Sequence, residues 1–158
     1  MSKTNSLHYE LCIVGAKYLK SKRSTEKWRT PNKYVAVELV TLCPDNTDVW
    51  ATNGYDSTVI EVKVSHSDFL NDQKKESRKN DFFSIGNYRY YLCPKDLIKE
   101  DELPNGWGLL YYDGNRIQKI VQSPFREDGA FKKWDVMMLS SIMSRITKPQ
   151  IFNFRKND

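Results

Sequence analysis

Apolar residues recur at helical spacing at the start of the chain, at alternate positions through its middle, and at helical spacing again near its end. Leu7, Leu11, Val14, Gly15, Tyr18 and Leu19 mark a helix over about 7–20, with Asn5 or Ser6 as its cap. Residues 21–32 are polar and basic and close on Pro31, which predicts a loop. Strands are predicted over 34–40, 48–52 and 58–64. A Cys43–Asn46 turn joins the first two, and an Asn53-Gly54 hairpin joins the last two. Ser65 or Ser67 can cap a helix running to about Lys79, anchored by Phe69 and Leu70. Further strands follow at 88–94, 107–112 and 116–121, with one helical turn near 99–103. A last helix over 131–146 places Trp134, Met137, Met138, Ser141, Ile142 and Arg145 on one face. The intervening helix makes the 88–94 strand a parallel neighbour of the 58–64 strand.

This order predicts an α/β fold: a mixed β-sheet flanked by α-helices, forming one domain over residues 1–158. At 158 residues, with 39% hydrophobic and 13% aromatic content, the chain can bury a core of its own. No apolar run approaches the roughly 20 residues of a membrane span. No apolar segment stands behind Met1–Asn5, so a secretory signal is not expected. Cys12, Cys43 and Cys93 are odd in number and far apart, which reads as buried reduced thiols in a cytoplasmic protein. With only His8 and His66 available, a zinc site is not expected.

The most informative segment is Val59-Ile60-Glu61-Val62-Lys63-Val64. Strand alternation puts Glu61 and Lys63 on one face and Ile60, Val62 and Val64 on the other. Keeping an acid and an ammonium together on a half-buried strand is costly unless the pair has a task. Asp48 heads the neighbouring strand, so its carboxylate can converge with that of Glu61. Two carboxylates and the backbone carbonyl of Val62 make an oxygen set for Mg2+ or Mn2+. Lys63 can orient the attacking water and offset charge developing on a phosphate. The expected chemistry is metal-assisted hydrolysis of a phosphodiester. Glu38 and Glu10 are candidate supporting acids, and Lys74, Lys75, Ser65 and His66 are candidate nucleic-acid contacts.

Glu61-Val62-Lys63, with Asp48 on the incoming hairpin strand, resembles the PD-(D/E)xK nuclease superfamily. That likeness implies a restriction-endonuclease-like core of helix, three-stranded meander, helix and strand. A literal Pro44-Asp45 lies three residues earlier, so two positions compete for the first acid. Asp48 is favoured because Val49-Trp50-Ala51 continues it as a strand. Glu61–Ser65, Asp68-Phe69, Asp72-Gln73-Lys74, Tyr90–Pro94, Leu103-Pro104 and Gly108-Leu109 follow in an order similar to that of the MmcB-like DNA repair family, over roughly residues 34–112. The resemblance implies a DNA partner and a role in repair, recombination or phage DNA processing. Lys74-Lys75 replaces the basic–aromatic pair of that pattern.

Net charge is +5 with a pI near 9.0, compatible with DNA or RNA as a partner. The basic residues cluster at Lys17, Lys20, Lys22, Arg23, Lys27 and Arg29, at Lys74, Lys75, Arg78 and Lys79, and at Lys132 and Lys133. These clusters also suit a non-catalytic nucleic-acid-binding module on the same fold. Solvated helix faces explain any one of them equally well. The Trp134 and Met137–Met138 face reads as ordinary core, with a homodimer contact as its alternative.

Overall fold

The computed structural model describes residues 3–21, 29–127, 132–148 and 151. Lys22, Arg23 and Lys27 of the first basic cluster, and Phe131, lie outside them. Helix α1 (Lys3–Lys20) precedes a meander of β1 (Tyr34–Val37), β2 (Val49–Thr52) and β3 (Ser57–Val62). Helices α2 (His66–Asp72) and α3 (Glu76–Lys79) then carry the chain to β4 (Tyr88–Pro94), β5 (Gly108–Tyr112) and β6 (Ile117–Val121). Helix α4 (Lys132–Ile146) closes the described fold. The six strands lie in sequence order, with β3, β4 and β5 parallel and the remaining neighbours antiparallel. This is the mixed sheet flanked by helices that the hydrophobic pattern predicts. Among the described residues, no helix is long and apolar enough to cross a membrane.

Both faces of the central strands are covered, so β2 and β3 are buried at every position. On one face, Leu11, Cys12 and Leu19 of α1 pack on Val49, Ala51, Ile60, Val62 and Leu92. Gly15 lets the helix approach closely: a Cβ there would stand 3.1 Å from Leu92 and 3.4 Å from Ile60. On the other face, Phe69 of α2 packs with Tyr91, Cys93, Trp107 and Leu109. Met138 of α4 packs with Leu39, Trp50, Val59 and Ile85. Trp134 and Met137 are partly buried and pack against the same cluster. Val59 and Glu61 therefore face α2 and α4, while Ile60 and Val62 face α1.

Helix α1 begins at Lys3, so Asn5 and Ser6 lie inside it rather than capping it, and two later elements also depart from expectation. The first strand stops at Val37 because Glu38 turns into a left-handed conformation (φ 48°). Its N–H still donates to the Asp48 carbonyl. The helix expected to run to Lys79 breaks at Gln73–Lys75, where Lys75 is extended and caps α3. In one continuous helix, Asp72 and Arg78 would be about 600° apart around the axis and could not face each other. The break turns Arg78 back onto Asp72, with Nε 2.8 Å from Oδ2.

A second polar tie holds α4 to the sheet. Asp135 is buried and accepts from Trp50 Nε1 at 2.9 Å and from Ser57 Oγ at 2.8 Å. Replacing Asp135 by Ala leaves both donors buried without an acceptor, which costs about 2–4 kcal/mol. Urea unfolding should show a lower midpoint at an unchanged slope; an unaltered midpoint contradicts this role.

Candidate active site

The β2–β3 register pairs Val49 with Ile60. One step outward, Asp48 stands across from Glu61, as the sequence predicts. Asp48 Oδ2 accepts the Val62 N–H at 2.7 Å, so its carboxylate is clamped over β3 beside Glu61. Val62 thus contributes an amide hydrogen here, a role the expected carbonyl ligand did not include. Lys63 extends the parallel pairing through its N–H to the Leu92 carbonyl. Its ammonium lies 3.4 Å from Glu61 Oε2, on the same face, and 3.1 Å from Asp72 Oδ1.

Arg78 closes this cluster from α3. Its guanidinium is 2% exposed and reaches three carboxylates: Asp45 at 3.1 Å, Glu61 at 2.8 Å and Asp72 at 2.8 Å. The ring of Trp107 lies 4.7 Å below it. Tyr91 donates its hydroxyl to Asp72 at 2.8 Å, and half-exposed Lys75 adds a contact to Asp72 at 2.7 Å. Ser77 donates to Asp45 at 3.2 Å. Asp45, the rival first acid, is therefore a buried partner of Arg78 and Ser77.

The charges do not balance. Asp45, Glu61 and Asp72 are buried carboxylates; among the described residues Lys63 and Arg78 answer them as buried cations, half-exposed Lys75 reaches Asp72, and Asp48 adds a further acid. The excess falls on Glu61. Its Oε1 lies 2.8 Å from Arg78 Nη2, yet no N–H points at it, so this oxygen is buried without a hydrogen bond. Burial first, and then the charge of Asp48, push the Glu61 carboxyl up to about 7 against the pull of Arg78, Lys63 and Lys75. Burial would also raise Asp48, but its bonds to His8 and the Val62 N–H outweigh it and hold this carboxyl below the usual range. Asp72 is likewise desolvated, and the Arg78, Lys63 and Lys75 cations bring it well below that range.

Solvent reaches the pair from the Asp48 side. Asp48, His8 and Glu38 are partly exposed at 19%, 30% and 50% of their side chains. His8 Nε2 lies 3.4 Å from Asp48 Oδ2, and its Nδ1 is 3.9 Å from Glu38 Oε1 and 3.7 Å from Cys12 Sγ. The Asp48 bond raises His8 above its ordinary value, and burial pushes the Cys12 thiol up to about 12. The α1 side chains turned toward the site are thus His8 and Cys12, while Glu10 is exposed.

The remaining candidates occupy other positions. Ser65 caps α2 by accepting the Asp68 N–H at 3.2 Å. His66 pairs with Glu102 at 2.6 Å. Lys74 is exposed and donates to Asn71 at 3.1 Å. Arg29 is buried, stacked on Tyr88 and bonded to Asp56, which removes it from the basic surface. Arg78, Asp72 and His8 were not named as site residues from sequence. Residues four apart on a helix share a face, so the spacing of His8 and Cys12 is the local feature that could have marked His8.

No family model matches the chain, and no curated protein matches it. Among solved structures, a protein of unknown function from Silicibacter pomeroyi is similar. It has a TM-score of 0.53 and 19% identity, over 71% of this chain and 75% of that chain. The likeness bears on the fold alone, an α/β architecture whose six-stranded mixed sheet, flanked by helices, is consistent with a restriction-endonuclease-like core.

Proposed function

We propose that this protein is a divalent-cation-dependent nuclease of the PD-(D/E)xK kind, hydrolysing phosphodiester bonds in DNA or, as the alternative substrate, RNA. The observation that carries the reading is the cross-strand placement of Asp48 and Glu61 with the Lys63 ammonium 3.4 Å from Glu61. The donor set fits a hard dication: two neighbouring carboxylates carry more negative charge than their surroundings neutralise, and Glu61 Oε1 has no hydrogen bond. Mg2+ or Mn2+ held there would supply charge relief at the phosphate and a positioned water.

The chain's own groups have separate tasks. Asp48 and Glu61 hold the cation. The Val62 N–H fixes the Asp48 carboxylate, and the Arg78 charge lies 2.8 Å from Glu61 Oε1. Lys63 sits between Glu61 and Asp72, which suits it to stabilise charge growing on the phosphate rather than to take a proton. Lys75, half-exposed beside Asp72, and exposed Lys74 stand where an approaching phosphate backbone would meet positive charge.

One observation favours a second reading, a nucleic-acid-binding module that does not cut. Both Glu61 oxygens already lie beside cations, and the side chain is 2% exposed. Salt-dependent DNA binding without turnover, unchanged in Glu61→Gln, would establish it.

Cleavage of DNA of varied structure with Mg2+ or Mn2+ separates the two. The nuclease reading expects turnover that falls by at least about 100-fold in Lys63→Ala and in Glu61→Ala. Equal cleavage by all three proteins rejects it.

Stability gives an independent check. A carboxyl raised to about 7 in the folded state holds a proton that the unfolded chain releases near pH 4.5, so it lowers stability as pH rises between those values. Glu61→Gln should therefore unfold later than the wild type at pH 8, by about 1–3 kcal/mol, with the gain vanishing toward pH 4.5. A Gln variant that is less stable at pH 8 contradicts the charge excess.

A further inference from the structure

We infer that His8, Cys12 and Asp48 form a transition-metal site, with the α1 face toward β2 supplying nitrogen and sulfur donors for a borderline dication of the zinc or cobalt kind. One donor atom from each residue lies within 4.8 Å of the other two. Donors bound to one such ion at about 2.0–2.3 Å are never more than about 4.6 Å apart. Tetrahedral donors stand about 3.3–3.8 Å apart, so the set closes on an ion with side-chain shifts of up to about 1 Å. Residues four apart on a helix share a face, so α1 presents His8 and Cys12 together. Asp48, one residue ahead of β2, lies opposite them, and Glu38 Oε1, 3.9 Å from His8 Nδ1, offers a fourth oxygen at the rim.

The donors decide the metal. Imidazole and thiolate discriminate against magnesium, which takes oxygen, and suit zinc and cobalt. On binding, the Cys12 thiol gives its proton to solvent and the sulfur lone pair forms the bond to the ion.

A rival use of the same atoms is a Cys–His–Asp relay, with Cys12 as nucleophile. The thiol is fully buried under α1 among Leu11, Val49, Ile60 and Val62, so no substrate carbon or phosphorus can approach its sulfur. A cation the size of zinc needs no such approach path for a substrate. The site shares Asp48 with the nuclease reading but does not depend on cleavage, and it places a softer metal on the open side of the same carboxylate.

The test is a Co2+ titration of the full-length, reduced, metal-stripped protein, followed by absorption. A thiolate-to-cobalt charge-transfer band should appear in the near ultraviolet with visible bands of a low-coordinate ion. Cys12→Ser should lose the near-ultraviolet band, and His8→Ala should lose both. Glu61→Gln should keep both even where DNA cleavage is abolished, which separates failure of this site from failure of the nuclease reading. Absence of the near-ultraviolet band in the wild type, or its survival in Cys12→Ser as a signal from Cys43 or Cys93, overturns the inference. Should Cys12→Ser fail to fold by circular dichroism, an unchanged band in His8→Ala rejects it equally.

Discussion

Arg78 holding three carboxylates in a place closed to water is the interaction on which the rest of this structure depends. A guanidinium buried to 2% exposure is tolerable only among anions: its donors bond Asp45 and Asp72, and the Glu61 carboxylate lies 2.8 Å away, so a loop, a helix and a strand surround it with negative charge. The same contacts tie the β2 approach, β3 and α2 to one point. Removing Arg78 would leave several buried negative charges facing one another, a far larger loss than a surface ion pair represents.

The fold builds this point from ordinary parts. Antiparallel pairing of β2 with β3 sets Asp48 beside Glu61, and the parallel crossover to β4 returns α2 over the same face. The break between α2 and α3 lets Lys75 and Arg78 both reach Asp72. Two fully covered cations leave one carboxylate too many, and the surplus settles on Glu61, the acid nearest Asp48. On the proposed nuclease reading, an added cation beside those two acids would remove the imbalance. If the proposed function holds, stability and function pull in opposite directions at Glu61.

Strand alternation made the shared face of Glu61 and Lys63 legible, and the hairpin pattern made Asp48 their neighbour. Both depend only on local periodicity and on pairing of adjacent strands. The partners of Lys63 were not legible in the same way. Asp72 and Lys75 read as a pair on one helix; they pair across the break between α2 and α3, and the burial of Asp72 against Lys63 and Tyr91 is a tertiary contact. Arg78 looked like one charge in a basic run because nothing local marks the helix break that turns it inward. Ser65 and His66 sit next to the motif in sequence, yet helix capping and Glu102 account for their contacts. His8 and Cys12 meet Asp48 only because α1 crosses β2, a packing that no spacing within either segment encodes.

The most direct measurement is the carboxyl titration of Glu61 by 13C NMR in protein labelled at glutamate, for the wild type and for Asp48→Asn, with and without Mg2+. The account predicts a wild-type midpoint near 7. It predicts a lower midpoint in Asp48→Asn, where the neighbouring charge is gone, and a strong lowering by Mg2+ in the wild type alone. A Glu61 that titrates with the ordinary carboxylates and ignores both the substitution and the metal would contradict it.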